Sequence, residues 1–205
     1  MTHRPVLAVV LAAAVLTGCS GAQDVGERID MTPYRDRVDG DRGDDRDDDG
    51  LAECGDPDDA QEWELSGAGA ELEVTVPADA DDDPVEDLED YREDAGAGPV
   101  CWVVVDVDNT GGTSVVDLPR VEVVTAGGEG VRLQRASEAL ASWSDLRPDD
   151  DDATARAVEL IAGADGVVGP GEEGEVVLVA GTDLDDPRGV RLQLAEGGDL
   201  LEASR

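Results

Sequence analysis

The stretch that decides the fold is residues 100–112, which read VCWVVVDVDNTGG. Apolar side chains alternate from Cys101 to Val107, so the odd-numbered ones share a face that we expect to point into the core. Trp102 points the other way, where we expect it to pack rather than to serve as a ligand platform. The Asn-Thr-Gly-Gly that follows is typical of a turn. Residues 100–112 therefore predict a buried β-strand that ends in a turn.

Shorter strand patterns lie on both sides of this stretch. One of them alternates strictly and ends at Pro77, which cannot donate a hydrogen bond to a sheet. A Gly-rich hairpin turn is expected at residues 126–129. Strands are predicted at residues 71–77, 114–118, 121–125, 130–134, 175–180 and 189–195. About seven or eight short strands with frequent Gly and Pro turns favour an all-β protein built as a β-sandwich.

Helical patterns are few and short. Residues 136–146 and 153–162 place apolar side chains at helical spacing, and Asp152 is expected to cap the second helix. Residues 85–91 are expected to form one helical turn within an acidic loop. We therefore predict one or two short helices beside the sandwich.

The N-terminal residues follow the pattern of an export signal. Residues 6–16 carry no charge, and the run is too short for a membrane span, which needs about 20 apolar residues. The next residues, Leu16-Thr17-Gly18-Cys19, resemble the lipobox of bacterial lipoproteins. This resemblance implies a signal peptide at residues 1–18, lipid on Cys19, and a place on the outer face of the cell membrane. An ordinary secretory signal with a chance cysteine is the alternative.

Residues 19–60 are expected to form a flexible, Asp-rich linker, because like charges repel and few apolar residues are available to bury. Within it, Asp45, Asp47 and Asp49 alternate before a glycine, as the oxygen ligands of a calcium loop do. Glu53 falls at a later ligand position of the same loop. Calcium is therefore the one cofactor that the sequence suggests, and a solvated linker without metal is the other interpretation.

The remaining cysteines, Cys54 and Cys101, are expected to pair. Outside the cytoplasm two remaining thiols usually form a disulfide. Two separate buried thiols are the alternative. The folded domain is expected to span residues 61–205.

Composition excludes several kinds of function. The chain has 51 acidic and 15 basic residues, and its formal net charge is −36. Such a surface repels nucleic acid and attracts cations and basic partners. The only histidine is His3, and there is no lysine. Because the mature chain would lack both residue types, nucleophile–histidine and Ser-Lys catalysis are excluded, and we expect no enzymatic activity. A hydrolase that uses only carboxylates is the remaining enzymatic alternative.

Three stretches resemble the small immunoglobulin-like (telokin-like) domains of unknown function on bacterial lipoproteins. They are the strand at residues 103–111, the hairpin at residues 121–133, and the Gly-Pro turn at residues 168–172 with the strands that follow it. The resemblance covers residues 71–195 and implies an immunoglobulin-like sandwich on the cell surface. That family has no catalytic residues to transfer. The resemblance therefore implies a fold and a surface location only. The lipobox, the linker and the missing catalytic residue types favour a non-enzymatic, membrane-anchored interaction module whose partner is another envelope protein, with a weak calcium-binding surface protein as the alternative.

Overall fold

The computed structural model describes residues 54–164 and 166–204, and the predicted signal peptide lies outside them. This part of the chain contains nine β-strands, three α-helices and a short 3-10 helix at Pro57–Asp59. The strands are β1 (Gln61–Gly67), β2 (Ala70–Val76), β3 (Cys101–Asp108), β4 (Arg120–Thr125), β5 (Gly130–Arg132), β6 (Gln134–Arg135), β7 (Glu173–Ala180), β8 (Pro187–Gln193) and β9 (Leu200–Ser204). The helices are α1 (Glu86–Ala95), α2 (Ala136–Ser144) and α3 (Asp151–Gly163).

The strands form two antiparallel sheets. The five-stranded sheet has the order β1-β2-β3-β7-β6, and the four-stranded sheet has the order β5-β4-β8-β9. The chain crosses from one sheet to the other at Leu133, between β5 and β6. The prediction of a mainly β fold with two sheets is therefore confirmed.

The main apolar core lies between the two sheets. Cys101, Val103, Val105 and Val107 of β3 all belong to it, as the alternation predicted. Burying one aliphatic side chain of this size contributes about 1.5–3 kcal/mol. Valine and leucine dominate this core, which is typical of strands because β-branched side chains pack well on a pleated surface.

The three helices cover part of the outer face of the five-stranded sheet and make a second core. Trp102 lies in that core at 3% exposure, and its ring meets Trp143 of α2 edge to face, with centroids 6.0 Å apart. The prediction of one or two helices is wrong, and the helices form a layer of their own. The predicted turn at residues 85–91 belongs to a ten-residue helix, α1, whose buried face includes Leu88 and Tyr91.

A charged network ties α1 to β3. The guanidinium of Arg92 donates two hydrogen bonds to the Glu89 carboxylate, both at 2.7 Å, and the Trp102 indole donates a third at 2.9 Å. Burial by itself raises the pKa of Glu89, but the hydrogen bonds from Arg92 and Trp102 outweigh it, and the net pKa is lowered. Glu89 is thus held as an anion where α1 meets β3.

Asn109 fixes the end of β3. Its side-chain amide donates to the backbone carbonyls of Ser114, Val168 and Gly169 at 2.9, 3.2 and 2.9 Å. Its backbone N–H donates to the carbonyl of Glu172 at 2.9 Å. This residue, 1% exposed, therefore joins the loop after β3 to the loop that leads into β7.

Two other sequence predictions differ from the structure. Residues 114–118 do not form a strand, and only an isolated bridge joins Val116 to Val168. The cap of α3 is Asp150, not Asp152, because the Asp150 carboxylate accepts from the N–H of Ala153 at 2.9 Å. In a run of four aspartates, any of the four has the chemistry of a cap.

Candidate functional site

The helix layer leaves half of its sheet face uncovered. On β3, Trp102 and Val104 lie under the helices, whereas Asp106 and Asp108 point to the same side beyond them. The same change occurs on β7, where Val177 is covered and Glu175 and Glu173, which point to the same side, are exposed. A strand face that is apolar at one end therefore becomes acidic at the other.

Strand register aligns the uncovered side chains in two cross-strand rows. The middle row runs through Glu64, Glu73, Asp106 and Glu175, which lie directly opposite one another on β1, β2, β3 and β7. The end row runs through Ser66, Glu71, Asp108 and Glu173 on the same strands. All eight residues line a groove of about 850 Å³. We call the seven carboxylates of these rows the acidic face.

Like charges oppose each other across these strands. The middle row contains three directly opposed carboxylate pairs and the end row two, namely Glu71–Asp108 and Asp108–Glu173. Opposite residues of adjacent strands have Cβ atoms about 4.5–5.5 Å apart, and like charges there destabilise the sheet by roughly 0.2–1 kcal/mol per pair. The acidic face therefore opposes folding.

The outer face of the four-stranded sheet has the opposite arrangement. One cross-strand row there reads Arg132, Glu122, Arg191 and Glu202, so the charges alternate in sign. Arg191 lies 3.0 Å from the Glu202 carboxylate. Alternating signs are the arrangement that stabilises a sheet surface. The same domain thus carries a charge pattern that favours folding on one sheet and a pattern that opposes it on the other.

One member of the middle row, Glu175, has a raised pKa. Partial burial, and then the negative charge and hydrogen bond of Asp106, raise the pKa of Glu175, and Asp83 adds to the effect. Asp108 behaves differently, because hydrogen bonds from the hydroxyl and backbone N–H of Thr110 lower its pKa. The two rows therefore differ: the pKa is raised at Glu175 in the middle row and lowered at Asp108 in the end row.

The end of α3 borders the acidic face. A smaller cavity of about 300 Å³ is lined by Gly163 at the end of this helix and by residues 173–175 of β7. The C-terminal end of a helix carries a partial negative charge because its last carbonyls have no partner within the helix. α3 has no basic residue in its last turn. The helix end therefore adds to the negative potential beside Glu173 and Glu175.

Chemically, this arrangement suits the binding of positive charge. Carboxylates accept hydrogen bonds from arginine and lysine side chains, and bidentate contacts with arginine are the strongest of them. The aromatic residues of the described chain, Trp63, Trp102, Trp143 and Tyr91, are all buried at 5% exposure or less. They are therefore not available as a stacking platform for a sugar substrate.

The predicted site residues are placed as follows. Cys54 and Cys101 form a disulfide across 47 residues of chain, with Cα atoms 5.2 Å apart. Cys19 and the calcium-loop residues Asp45, Asp47, Asp49 and Glu53 lie outside the described residues. Within residues 54–164 and 166–204, no cluster of three or more His, Cys, Asp or Glu side chains is arranged to hold a metal ion. In the same residues, no helix has the length and apolarity of a membrane span.

The acidic face was not predicted from the sequence. The alternation in residues 71–77 put Glu71 and Glu73 on an outward face, and the alternation in β3 did the same for Asp106 and Asp108. The signal was therefore present strand by strand. The order of the strands in the sheet could not be predicted from the alternation. β3 and β7 are neighbours in the sheet, although 64 residues lie between the end of β3 and the start of β7.

Comparison of the chain with known protein families, curated proteins and solved structures found no match. The assignment of a function therefore depends on the residues and geometry described above.

Proposed function

We propose that this protein is a non-enzymatic interaction module, tethered by lipid on Cys19 to the extracytoplasmic face of a cell membrane, that binds a basic segment of another envelope protein. The observation that carries the proposal is the acidic face. Five opposed carboxylate pairs destabilise the fold, and sites that oppose stability are characteristic of function. A cationic partner removes that cost when it binds.

Three features favour a polypeptide partner over a small ligand. The groove is open, because its lining runs over the surface of four strands from Glu64 to Glu175. Four adjacent strands span about 14 Å, since neighbouring strands lie about 4.8 Å apart. Finally, the two rows lie about 7 Å apart along each strand, which is also the repeat of alternate side chains in an extended chain. An extended segment with arginine or lysine at alternate positions therefore matches the face in charge and in spacing.

The membrane address is supported by the lipobox and by the disulfide. Disulfides persist mainly outside the cytoplasm, and the Cys54–Cys101 bridge fits that compartment. We expect mass spectrometry of the purified protein to find acyl chains on Cys19, and a Cys19→Ser variant to leave the membrane fraction. An unmodified Cys19 in a protein that remains in that fraction contradicts the address.

The absence of catalysis is part of the proposal. Asp106 and Glu175 form a pair of carboxyl groups, which is the minimum for acid–base hydrolysis. The burial of Trp63, Trp102, Trp143 and Tyr91 supports binding over hydrolysis of a sugar. The immunoglobulin-like (telokin-like) relationship also remains a proposal, supported by two antiparallel sheets that enclose one core.

The test is the binding of a synthetic oligo-arginine peptide, measured by calorimetry on the purified chain at about 0.15 M salt. We expect binding to weaken at least tenfold in the triple variant Glu73→Gln/Asp106→Asn/Glu175→Gln, because three adjacent contacts lose their charge. The matched control, Asp45→Asn/Asp47→Asn/Asp49→Asn, removes three charges from the predicted linker. Equal losses in the two variants, or no binding by the wild type, contradict the proposal.

A further inference from the structure

We propose that the Cys54–Cys101 disulfide is a mechanical clamp: it passes a pull on the N-terminal tether directly to the central strand β3 and keeps that pull off the edge strand β1. The inference rests on the lipid tether proposed above, and it is independent of what the acidic face binds. Its structural basis is the position of the two cysteines in the fold.

The tether meets the fold beside an edge strand. The chain from Cys19 enters the described residues at Cys54, and the first strand that follows is β1, which begins at Gln61. β1 lies at the edge of the five-stranded sheet and pairs with β2 alone, through seven residue pairs. Without the bridge, a pull on the tether would therefore load a strand that is paired on one side only.

The disulfide moves the point at which the pull enters. Cys101 is the first residue of β3, is 0% exposed, and has its Cα atom 5.2 Å from that of Cys54. The other route leads along the chain from Cys54 to Gln61 and includes the 3-10 helix at Pro57–Asp59. A 3-10 helix rises about 2.0 Å per residue, whereas an extended chain spans about 3.5 Å, so this route has length to spare. The covalent bridge therefore becomes taut first.

The strand that receives the pull is held more firmly than β1. β3 pairs with β2 through five residue pairs and with β7 through eight, so thirteen pairs on two sides replace seven on one side. Val103, Val105 and Val107 of β3 also lie in the main core at 2% exposure or less. The loop closed by the bridge contains β1, β2 and α1. A pull along β3 must therefore break its pairs with both neighbours together, and β1 lies outside the direct path of the load.

The experiment is single-molecule force spectroscopy on the chain carrying Cys19→Ser, so that neither lipid nor a third thiol interferes. One handle is a reactive residue in place of the exposed Thr113, in the loop beyond β3. The second handle is attached either at the N-terminus or in place of the exposed Asp59, inside the closed loop beside β1. Both molecules keep the bridge. We expect the N-terminal handle to require about twice the unfolding force of the Asp59 handle, because thirteen pairs and not seven set the barrier along the pull.

Two variants, both pulled from the N-terminus, separate the path of the force from stability. Cys54→Ser should unfold at the low force of the Asp59 handle, and it should release about 160 Å more chain because 47 residues are no longer enclosed. Leu140→Ala removes a buried side chain of α2, which lies outside the path, and it destabilises the fold to an extent comparable with loss of the bridge. It should keep most of the force of the bridged protein, because forced unfolding follows the barrier and not the equilibrium stability.

Equal forces from the N-terminal and Asp59 handles overturn the inference. A Leu140→Ala variant that weakens as much as Cys54→Ser also overturns it, because the bridge then acts through stability alone. The force measurements do not depend on lipid, so the tether is tested separately. An unmodified Cys19 in the purified protein overturns the proposed address, whereas the comparison of handles alone decides the path of the force.

Discussion

Replacing Asp106 by asparagine should stabilise the protein, although the substitution lies in the middle of a sheet. Asp106 faces Glu73 and Glu175, so the change removes two opposed charge pairs and keeps the shape of the side chain. Two unit charges about 5 Å apart repel by about 0.8 kcal/mol in water. At about 0.15 M salt the Debye length of about 8 Å reduces each pair to about 0.4–0.5 kcal/mol. The expected gain is therefore about 0.9 kcal/mol for the two pairs.

The dependence of the gain on salt concentration distinguishes an electrostatic cause from other causes of stabilisation. At about 1 M salt the Debye length is about 3 Å, and the same two pairs are worth only about 0.3 kcal/mol. A gain of about 0.9 kcal/mol corresponds to about 2–4 °C in the melting temperature of a domain of this size. Urea is the denaturant of choice because it carries no charge. Fluorescence follows the transition, since all three tryptophans are buried in the folded state.

Glu62→Gln is the matched control for Asp106→Asn. Glu62 lies on β1 on the same side of the sheet, but the residue opposite it is Thr75, so it has no opposed carboxylate. Both variants change the net charge by one unit. We expect Glu62→Gln to shift stability by less than about 0.3 kcal/mol, the usual size for a surface change. An Asp106→Asn variant that is no more stable than this control, or whose gain does not shrink in salt, refutes the electrostatic reasoning.

Three further predictions concern the parts of the fold that hold the acidic face in place. Asn109→Ala should cost about 2–4 kcal/mol, because the carbonyls of Ser114, Val168 and Gly169 lose the hydrogen bonds from its side-chain amide, and Asn109→Asp should cost more; a small effect on the urea midpoint contradicts that role. Glu89→Gln should lower the free energy of unfolding at neutral pH by about 1–3 kcal/mol. In the wild type, this contribution is lost as pH falls through the lowered pKa of Glu89, and the variant should lack that loss. If the stability of the variant depends on acidic pH in the same way as that of the wild type, the network with Arg92 is contradicted. Replacing Cys54 by serine and Cys101 by alanine should lower the free energy of unfolding by about 4 kcal/mol, the loop-entropy value for a bridge across 47 residues. An unchanged urea midpoint contradicts this contribution of the disulfide.

Stability should also depend on pH through Glu175, in a window different from that of Glu89. The folded state raises the pKa of Glu175, so it binds a proton more tightly than the unfolded chain does. Stability therefore falls as pH rises from the ordinary value of about 4.3 through the raised one. For Glu89 the folded state lowers the pKa, and stability falls as pH drops below the ordinary value. The two effects have opposite signs, so variants at the two positions separate them.

The alternation of apolar residues was enough to predict most strands. It put the odd-numbered residues of β3 in the core, and it placed the hairpin turn at residues 126–129, which the register of β4 and β5 confirms. It missed β1 and β9, which lie near the ends of the described chain. It also predicted a strand at residues 114–118, where apolar side chains are present but only one bridge forms. A run of apolar residues thus reports burial more reliably than strand pairing.

The helix layer explains why the candidate site escaped detection. Periodicity indicated the apolar stripes of α2 and α3, but it could not indicate how much of the sheet they cover. Trp102 and Asp106 lie on the same side of the same strand, and only the position of the helices makes one a core residue and the other a surface residue. Sequence separation hides the rest, because the pairing of β3 with β7 brings Asp106 and Glu175 together from distant parts of the chain.

The most direct test of the central claim is an amide chemical-shift map of the isotopically labelled chain titrated with oligo-arginine. We predict shifts that concentrate on the strand ends bearing the middle and end rows, around Glu73, Asp106 and Glu175, and that fade as salt is raised. Shifts confined to the aspartates of the predicted linker, or to the four-stranded sheet, would contradict the account.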